Sequence, residues 1–443
     1  MKGKVFLFLI LLLIPAVSSA GEPVFTLKEA VEAALRDNHS LKAVSASVEA
    51  SGEDVGRARS YLLPRLTFEE RFSRTTNPTY AFMSKLNQER FAASDFAITS
   101  LNDPDETDDF QTSVSFEQAL FSEKARIGLK MAKEEVSAQR ESFKRKREEV
   151  ALDTIKAFLD ITTAREFVDV AKKGLEDAKV HERLAETRFN ADMGLYSDVL
   201  RAKTYAAESA QRLVSAEKNL KLAKRGLGLL LGLESGADVG GEVTELKVAP
   251  IELYSASALE RSDLRAMRIR KGNAENNLSL ARSEYLPMIG VGGAYYMNDH
   301  ETPFGAEGTS WQAAAFLRWN IFDGGLREFE ASKARLQAIE AAEHLNGMKK
   351  AVQFRVYEAY LAHEEAMKNT ELAEASLKAA EEGTRLVRIR YENSLSPFVD
   401  LLDAELALEG ARAGLVMRKN ELKTAQAALS FEGGTILKDL GIE

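Results

Sequence analysis

Hydrophobic residues recur every seven positions along two segments of the chain that lie 202 residues apart. The repeating positions are Val199, Ala206, Leu213, Leu220 and Leu227 in the first segment and Leu401, Leu408, Leu415, Leu422 and Leu429 in the second. Small residues such as Ala202 and Ala404 lie between them and allow close approach of a neighbouring helix. A sustained seven-residue repeat predicts coiled-coil packing. An antiparallel hairpin that packs only on itself is the alternative.

The positions of the prolines predict two very long helices. No proline occurs between Pro104 and Pro250 or between Pro303 and Pro397, and both gaps are rich in strong helix formers. The segment from Phe121 to Asn190 is predicted to form one helix of about 70 residues, roughly 100 Å long at 1.5 Å per residue. Gly324 to Asn393 repeats that length.

Apolar and polar residues alternate in four other segments. The motif Ala58–Pro64 recurs as Ala281–Pro287, and each proline opens an alternating stretch. We predict strands at about 65–73, 110–121, 288–297 and 310–322, each near the length of a tilted membrane-spanning strand. Two soluble hairpins that cap a helical bundle are the alternative.

Four strands in one chain would be too few to close a barrel, and lipid does not tolerate open sheet edges. The chains would therefore have to associate. Two copies would give eight strands with a filled interior, and three copies would give twelve strands with a usable pore.

The first twenty residues form a separate segment. Lys2 and Lys4 precede an apolar core, and small residues end at Ala20, as in a secretory signal peptide. The chain has no cysteine, so packing and assembly rather than disulfides are expected to stabilise it. The net charge of −9 argues against nucleic-acid binding. No later apolar run has the length of a transmembrane helix.

Catalytic motifs do not stand out. The five histidines form no metal-spaced pair, and neither a Walker phosphate loop nor a Gly-x-Ser-x-Gly elbow occurs. We therefore expect a protein that is not an enzyme and that carries no cofactor or metal ion.

Four features of the chain occur together: the duplicated Ala-Arg-Ser turns, the duplicated helix tips, the stretch Leu317–Gly325 and the stretch Val399–Ala404. In these features the chain resembles a known family, the TolC-like outer membrane efflux proteins. The resemblance implies a homotrimer with a twelve-stranded β-barrel in the outer membrane and a long α-helical tube in the periplasm. It also implies a periplasmic adaptor and an inner-membrane transporter of RND, ABC or MFS type as partners.

The resemblance also assigns roles to residues at the helix tips. Asp400 and Asp403 match the aspartates of the family's periplasmic constriction, where three copies would form a cation-favouring ring. Tyr391 and Asp198 match a latch between the two tips, and Ser396 stands where the best-known member has an arginine. Read from the residues alone, Ser396 and Pro397 are a helix cap and first turn, followed by acids at the positive helix end.

Together these features predict a mainly α protein with two structural repeats and four strands. The predicted segments are a signal peptide (1–20), a first repeat (21–232, tip near 190–197), an equatorial linker (233–254), a second repeat (255–431, tip near 393–397) and a tail (432–443). The predicted function is the exit duct of a tripartite efflux pump or type I secretion system. The alternative is a soluble periplasmic coiled-coil adaptor or scaffold.

Overall fold

The computed structural model describes residues 22–241 and 248–442. The predicted signal peptide and part of the predicted linker lie outside these residues. The helices are α1 Leu27–Asp37, α2 His39–Ser60, α3 Pro78–Asn87, α4 Ile98–Asn102, α5 Glu123–Asn190, α6 Tyr196–Leu230, α7 Ile251–Ala258, α8 Ser262–Ser283, α9 Leu326–Glu392, α10 Phe398–Gly433 and α11 Ile436–Asp439. The strands are β1 Val24–Phe25, β2 Arg65–Thr75, β3 Thr107–Phe121, β4 Asp238–Val239, β5 Met288–Asp299 and β6 Gly308–Arg318.

The two long helices have almost the predicted bounds. Helix α5 contains 68 residues and helix α9 contains 67. At 1.5 Å per residue each is about 100 Å long. None of the helices in the described part of the chain combines the length and the apolar character needed to cross a lipid bilayer.

The chain folds into two compact units, and each unit draws on both sequence repeats. The first, which we call the tip unit, comprises the described residues up to Leu41, Arg147–Ser255 and the residues from Arg355 onward. The second, which we call the sheet unit, comprises Lys42–Lys146 and Ala256–Phe354.

In the tip unit the heptad positions face the packing surface. Val199 and Leu227 of α6 and Leu401, Leu408 and Leu429 of α10 are buried. The other leucines of the repeat are partly buried. This pattern is the packing that the seven-residue repeat predicted.

The sheet unit contains one antiparallel sheet with the strand order β2-β3-β5-β6. Its register aligns Phe68, Val114, Tyr295 and Trp311 in one row across the four strands. All four side chains are exposed. The neighbouring row contains Glu69, Ser113, Tyr296 and Ser310. One face of the sheet is therefore apolar and exposed, and the other is largely polar.

The last strand ends earlier than the sequence suggested. We predicted a strand to position 322, but β6 ends at Arg318. The side chain of Asp323 accepts hydrogen bonds from the N–H groups of Gly325 and Leu326 (3.1 Å each), which opens helix α9. Arg327 donates to the carbonyl oxygens of Asn320 (2.8 Å) and Ile321 (2.5 Å). These contacts fix a turn where the alternating pattern alone predicted more strand.

The predicted long loop after β2 contains helices α3 and α4. The side chain of Asn77 caps α3, and Lys85 pairs with Asp95 at 3.0 Å. The rings of Phe82 and Phe91 meet edge to face, with their centroids 4.8 Å apart. Helices this short carry too few residues to show an amphipathic period, which is why the sequence did not reveal them.

The first and last described residues and the start of the linker meet within the tip unit. Strand β1 pairs in parallel with β4. Lys224 contacts both Glu22 and Asp238 at 2.9 Å, and Lys28 donates to the carbonyl of Gly441 at 2.8 Å. The sequence analysis did not predict this small sheet.

Candidate functional site at the helix tips

The tips that join α5 to α6 and α9 to α10 have the same backbone structure. Asp192 and Ser394, which are 202 residues apart, both adopt the left-handed conformation, with φ angles of 58° and 59°. Each is followed by an N–H group that bonds to a carbonyl five residues earlier. These bonds are Met193 N–H to Arg188 O (2.9 Å) and Leu395 N–H to Arg390 O (2.8 Å). Both long helices thus end in a Schellman motif, so the sequence repeat is also a structural one.

The ends of all four helices share one apolar core. Its buried members are Ala185, Val199, Ala202, Tyr391, Phe398 and Leu401. The rings of Tyr391 and Phe398 lie 5.3 Å apart. Because Ala185 and Ala202 are small, the helices approach closely enough to bury the tyrosine ring.

Tyr391 is therefore a packing residue as well as a predicted latch residue. Burial raises the pKa of its hydroxyl, the nearby Arg188 lowers it, and Asp198 raises it. Asp198 is thus close enough to act on Tyr391 electrostatically. Within the described residues, however, no hydrogen bond joins the two side chains. The structure brings this predicted pair together without a direct bond inside one protomer.

Arg188 makes the direct link between the two tips, and sequence reasoning missed it. Its Nη1 donates to the carbonyls of Tyr391 (3.0 Å) and Glu392 (3.2 Å), and its Nη2 donates to Ser394 Oγ at 2.6 Å. The guanidinium also lies 4.9 Å from the centre of the Tyr391 ring. The available signal was that Arg188 and Arg390 occupy equivalent positions in the two repeats.

Ser396 does not cap helix α10. The helix begins at Phe398, and Pro397 occupies the cap position without a side-chain cap bond. The hydroxyl of Ser396 is buried and has no hydrogen-bond partner in the protomer. The prediction of a serine cap with proline at the first helical position was therefore wrong, because Pro397 has an extended backbone (φ −69°, ψ 160°) and precedes the helix.

Asp400 and Asp403 lie in the first two turns of α10, and both are exposed. In the part of the chain that the structure describes, neither carboxylate forms a hydrogen bond or an ion pair. Both are therefore free to face solvent or a neighbouring chain, and the structure of one protomer does not test their predicted role.

A second polar cluster is buried just behind the tip core, and the sequence did not reveal it. His181 Nε2 lies 3.0 Å from Glu405 Oε1, and Arg388 Nη2 donates to the same oxygen at 2.6 Å. The side chains of His181 and Glu405 are 2% and 3% exposed. Burial would raise the pKa of Glu405, but the bonds from His181 and Arg388 outweigh it and lower the pKa. These contacts tie α10 to both α5 and α9.

Further along the same helices, two more ion pairs cross the interior of the tip unit. Arg212 of α6 binds Glu409 of α10 at 3.0 Å, and Arg412 of α10 binds Asp177 of α5 at 3.4 Å. Gly174 leaves room for Glu409, because a Cβ atom at position 174 would lie 3.3 Å from that carboxylate. These helices therefore carry paired charges in their packed faces.

Sequence comparisons relate the chain to known proteins. The family model for outer membrane efflux proteins matches residues 30–233 and 253–434. The chain is 23% identical over 429 residues to the outer membrane protein TolC of Vibrio cholerae, covering 91% of each chain. It is 21% identical to the outer membrane efflux protein BepC of Brucella suis, covering 94% of this chain and 87% of that protein.

The solved structures show the same fold. The CmeC outer membrane channel of Campylobacter jejuni superposes with a TM-score of 0.76 at 18% identity, over 93% of this chain and 86% of that one. The family match supports an outer-membrane efflux channel over a soluble adaptor. This chain belongs to the outer membrane efflux protein family.

Proposed function

We propose that three copies of this chain form one channel, with a twelve-stranded β-barrel in the outer membrane and the helix tips in the periplasm. The observation that carries the proposal is the four-stranded sheet with an exposed apolar face. Within the described residues β2 and β6 are the edge strands of the sheet, so each has one side available to pair with another chain. Three sheets joined edge to edge would satisfy these edges in lipid and leave a pore.

The channel would serve as the passive exit duct of a tripartite efflux pump or type I secretion system. A periplasmic adaptor and an inner-membrane transporter of RND, ABC or MFS type would complete the assembly. In this proposal the inner-membrane transporter would supply the energy. The duct would sit in the outer membrane of a Gram-negative-type cell with a large periplasmic part.

The gate would lie at the helix tips. Three copies of Asp400 and Asp403 would place six carboxylates near one axis, which favours cations over anions. Tyr391, Asp198 and Ser396 would lie at the contact between tips, where Arg188 already joins the two hairpins of one protomer. Opening would require this contact to loosen.

Conductance across a planar bilayer tests the proposed constriction. The variant Asp400→Asn/Asp403→Asn should lose cation preference, so the reversal potential in a salt gradient should move toward zero. Block by divalent cations should weaken in parallel. The matched control is Asp192→Asn/Glu392→Gln. It also removes two carboxylates, one in the turn after α5 and one at the end of α9, but leaves α10 unchanged. Unchanged selectivity in the first variant would leave the two aspartates with only their role at the helix start.

A further inference from the structure

The loop between β5 and β6 gathers one histidine and two carboxylates. Single ligand atoms of Asp299, His300 and Glu307 all lie within 4.8 Å of one another. His300 Nδ1 lies 2.6 Å from Glu307 Oε2, and His300 Nε2 lies 3.3 Å from Glu301 Oε1. The imidazole is therefore surrounded by carboxylates, and none of these residues belongs to the helix tips.

The loop is held in shape by contacts that do not involve His300. Asp299 Oδ1 accepts hydrogen bonds from the N–H groups of Glu301 (2.8 Å) and Thr302 (2.9 Å). Phe304 adopts a positive φ of 60° and donates its N–H to Glu70 at 3.2 Å. Its ring also stacks on Phe68, with the centroids 6.2 Å apart. The cluster is thus preorganised, which lowers the cost of bringing ligands together.

The spacing suits one shared cation. Zinc binds imidazole nitrogen at about 2.0–2.1 Å and carboxylate oxygen at about 2.0–2.2 Å, so ligand atoms of a tetrahedral ion lie about 3.4 Å apart. The present atoms lie within 4.8 Å of one another, so modest side-chain rotations would bring them to that distance. Binding would replace the His300–Glu307 hydrogen bond with two bonds to the ion, one from a neutral imidazole nitrogen and one from a carboxylate oxygen.

The ligand types favour a particular class of ion. Calcium and magnesium ions prefer all-oxygen ligands, whereas an imidazole with carboxylates suits zinc, nickel or copper. We propose that Asp299, His300 and Glu307, with Glu301 beside them, form a binding site for a borderline divalent cation such as Zn²⁺. The sequence did not indicate this site, because only one histidine contributes and no second histidine stands at metal-ligand spacing from it.

A plain ion pair that closes the hairpin is the alternative. His344 offers a matched comparison, because it faces a single carboxylate, that of Glu340, at 3.6 Å on an exposed helix face. If any histidine beside an acid were sufficient for binding, His344 would bind zinc as well as His300 does.

Calorimetric titration of the detergent-solubilised full chain tests the proposal. The protein is first stripped with a chelator and then titrated with Zn²⁺ in the background of Asp400→Asn/Asp403→Asn, which removes the other exposed acid pair. We expect one site per protomer, which His300→Ala abolishes and Glu307→Gln weakens by at least about tenfold. His344→Ala should leave the isotherm unchanged, and excess Mg²⁺ should not compete.

Two results would overturn the site. One is an unchanged Zn²⁺ isotherm in both His300→Ala and Glu307→Gln. The other is equal competition by Mg²⁺, which would indicate an unselective acidic patch. Glu307→Gln keeps the test decisive if His300→Ala alters the loop, because glutamine keeps an oxygen that can still accept the N–H of His300, which Glu307 Oε2 now accepts at 3.3 Å. The outcome does not depend on whether the chain forms a channel.

Discussion

Arg188 of the first tip donates to Ser394 Oγ of the second tip at 2.6 Å. The same guanidinium reaches two main-chain carbonyls of the second tip and covers the ring of Tyr391. One side chain therefore spans the two hairpins of the protomer. Within one protomer, Arg188 makes the link between the tips that the family resemblance assigned to Tyr391, Asp198 and Ser396.

Replacing Arg188 should loosen the tips. Hydrogen bonds from a charged donor contribute about 1.5–3 kcal/mol each, and about 1.4 kcal/mol corresponds to a tenfold change in an opening equilibrium. Arg188→Ala should therefore speed cleavage after the buried Tyr391, by a protease specific for aromatic residues, by at least about tenfold. The matched control is Arg385→Ala. It removes an exposed ion pair with Glu382 on helix α9, the helix that also contains Tyr391. Equal cleavage rates in the two variants would contradict the role of Arg188.

The buried Glu405 should make stability depend on pH. Its pKa is lowered from 4.5 in the folded protein, so its contribution is fully present above about pH 4.5 and is lost as the pH falls through the folded value. Glu405→Gln breaks a buried pair and should cost about 3 kcal/mol at neutral pH. Thermal unfolding followed by circular dichroism should show the gap between wild type and variant shrinking below pH 4. A gap that stays constant between pH 7 and pH 3 would count against the ionised Glu405. The exposed Glu371→Gln is the control.

The hydroxyl of Ser396 is buried and has no hydrogen-bond partner in the protomer, so its removal should not lower stability. A buried polar group without a partner costs about 1–3 kcal/mol, so Ser396→Ala should leave thermal stability unchanged or raise it slightly. Thermal unfolding of the assembled protein provides the measurement. A clear loss of stability would mean that the hydroxyl has a partner on a neighbouring protomer.

Gly232, which lies just past the end of helix α6, and Gly226, which lies inside it, should respond oppositely to alanine. Gly232 ends the helix with a φ of 71°, and an added Cβ would lie 2.8 Å from the carbonyl of Asp37. Gly226 lies inside the helix, and an added Cβ would meet nothing within 4 Å. Gly232→Ala should therefore lower the melting temperature, and Gly226→Ala should raise it by the equivalent of up to about 1 kcal/mol. Equal effects would contradict the helix end described here.

The sequence predicted features that depend on long regular patterns. The bounds of α5 and α9 follow from proline-free runs, and the packed face of α10 follows from the leucine heptads. The chain's membership of the efflux protein family was anticipated from motifs such as Val399–Ala404. Such signals are averaged over many residues, so single misplaced side chains do not obscure them.

The features that the sequence missed are contacts between distant residues. The bond from Arg188 to Ser394 joins positions that no periodicity relates, and Glu405 meets His181 across 224 residues of chain. Ser396 was misjudged because Ser-Pro is a strong helix-start signal, whereas the actual cap depends on how the preceding Schellman turn directs the chain. Local sequence propensity could not show whether Ser396 or Pro397 would occupy the cap position of α10.

The mass of the purified complex in detergent tests the central claim, that open sheet edges are satisfied by sister chains. Native mass spectrometry should give three times the mass of the processed protomer. Placing a proline within the edge strand β2, for example Phe68→Pro, should reduce that species because proline removes a backbone donor and disfavours the strand that would pair with the next chain. A stable single protomer in buffer without detergent, with strands β2, β3, β5 and β6 intact by hydrogen exchange, would contradict the account.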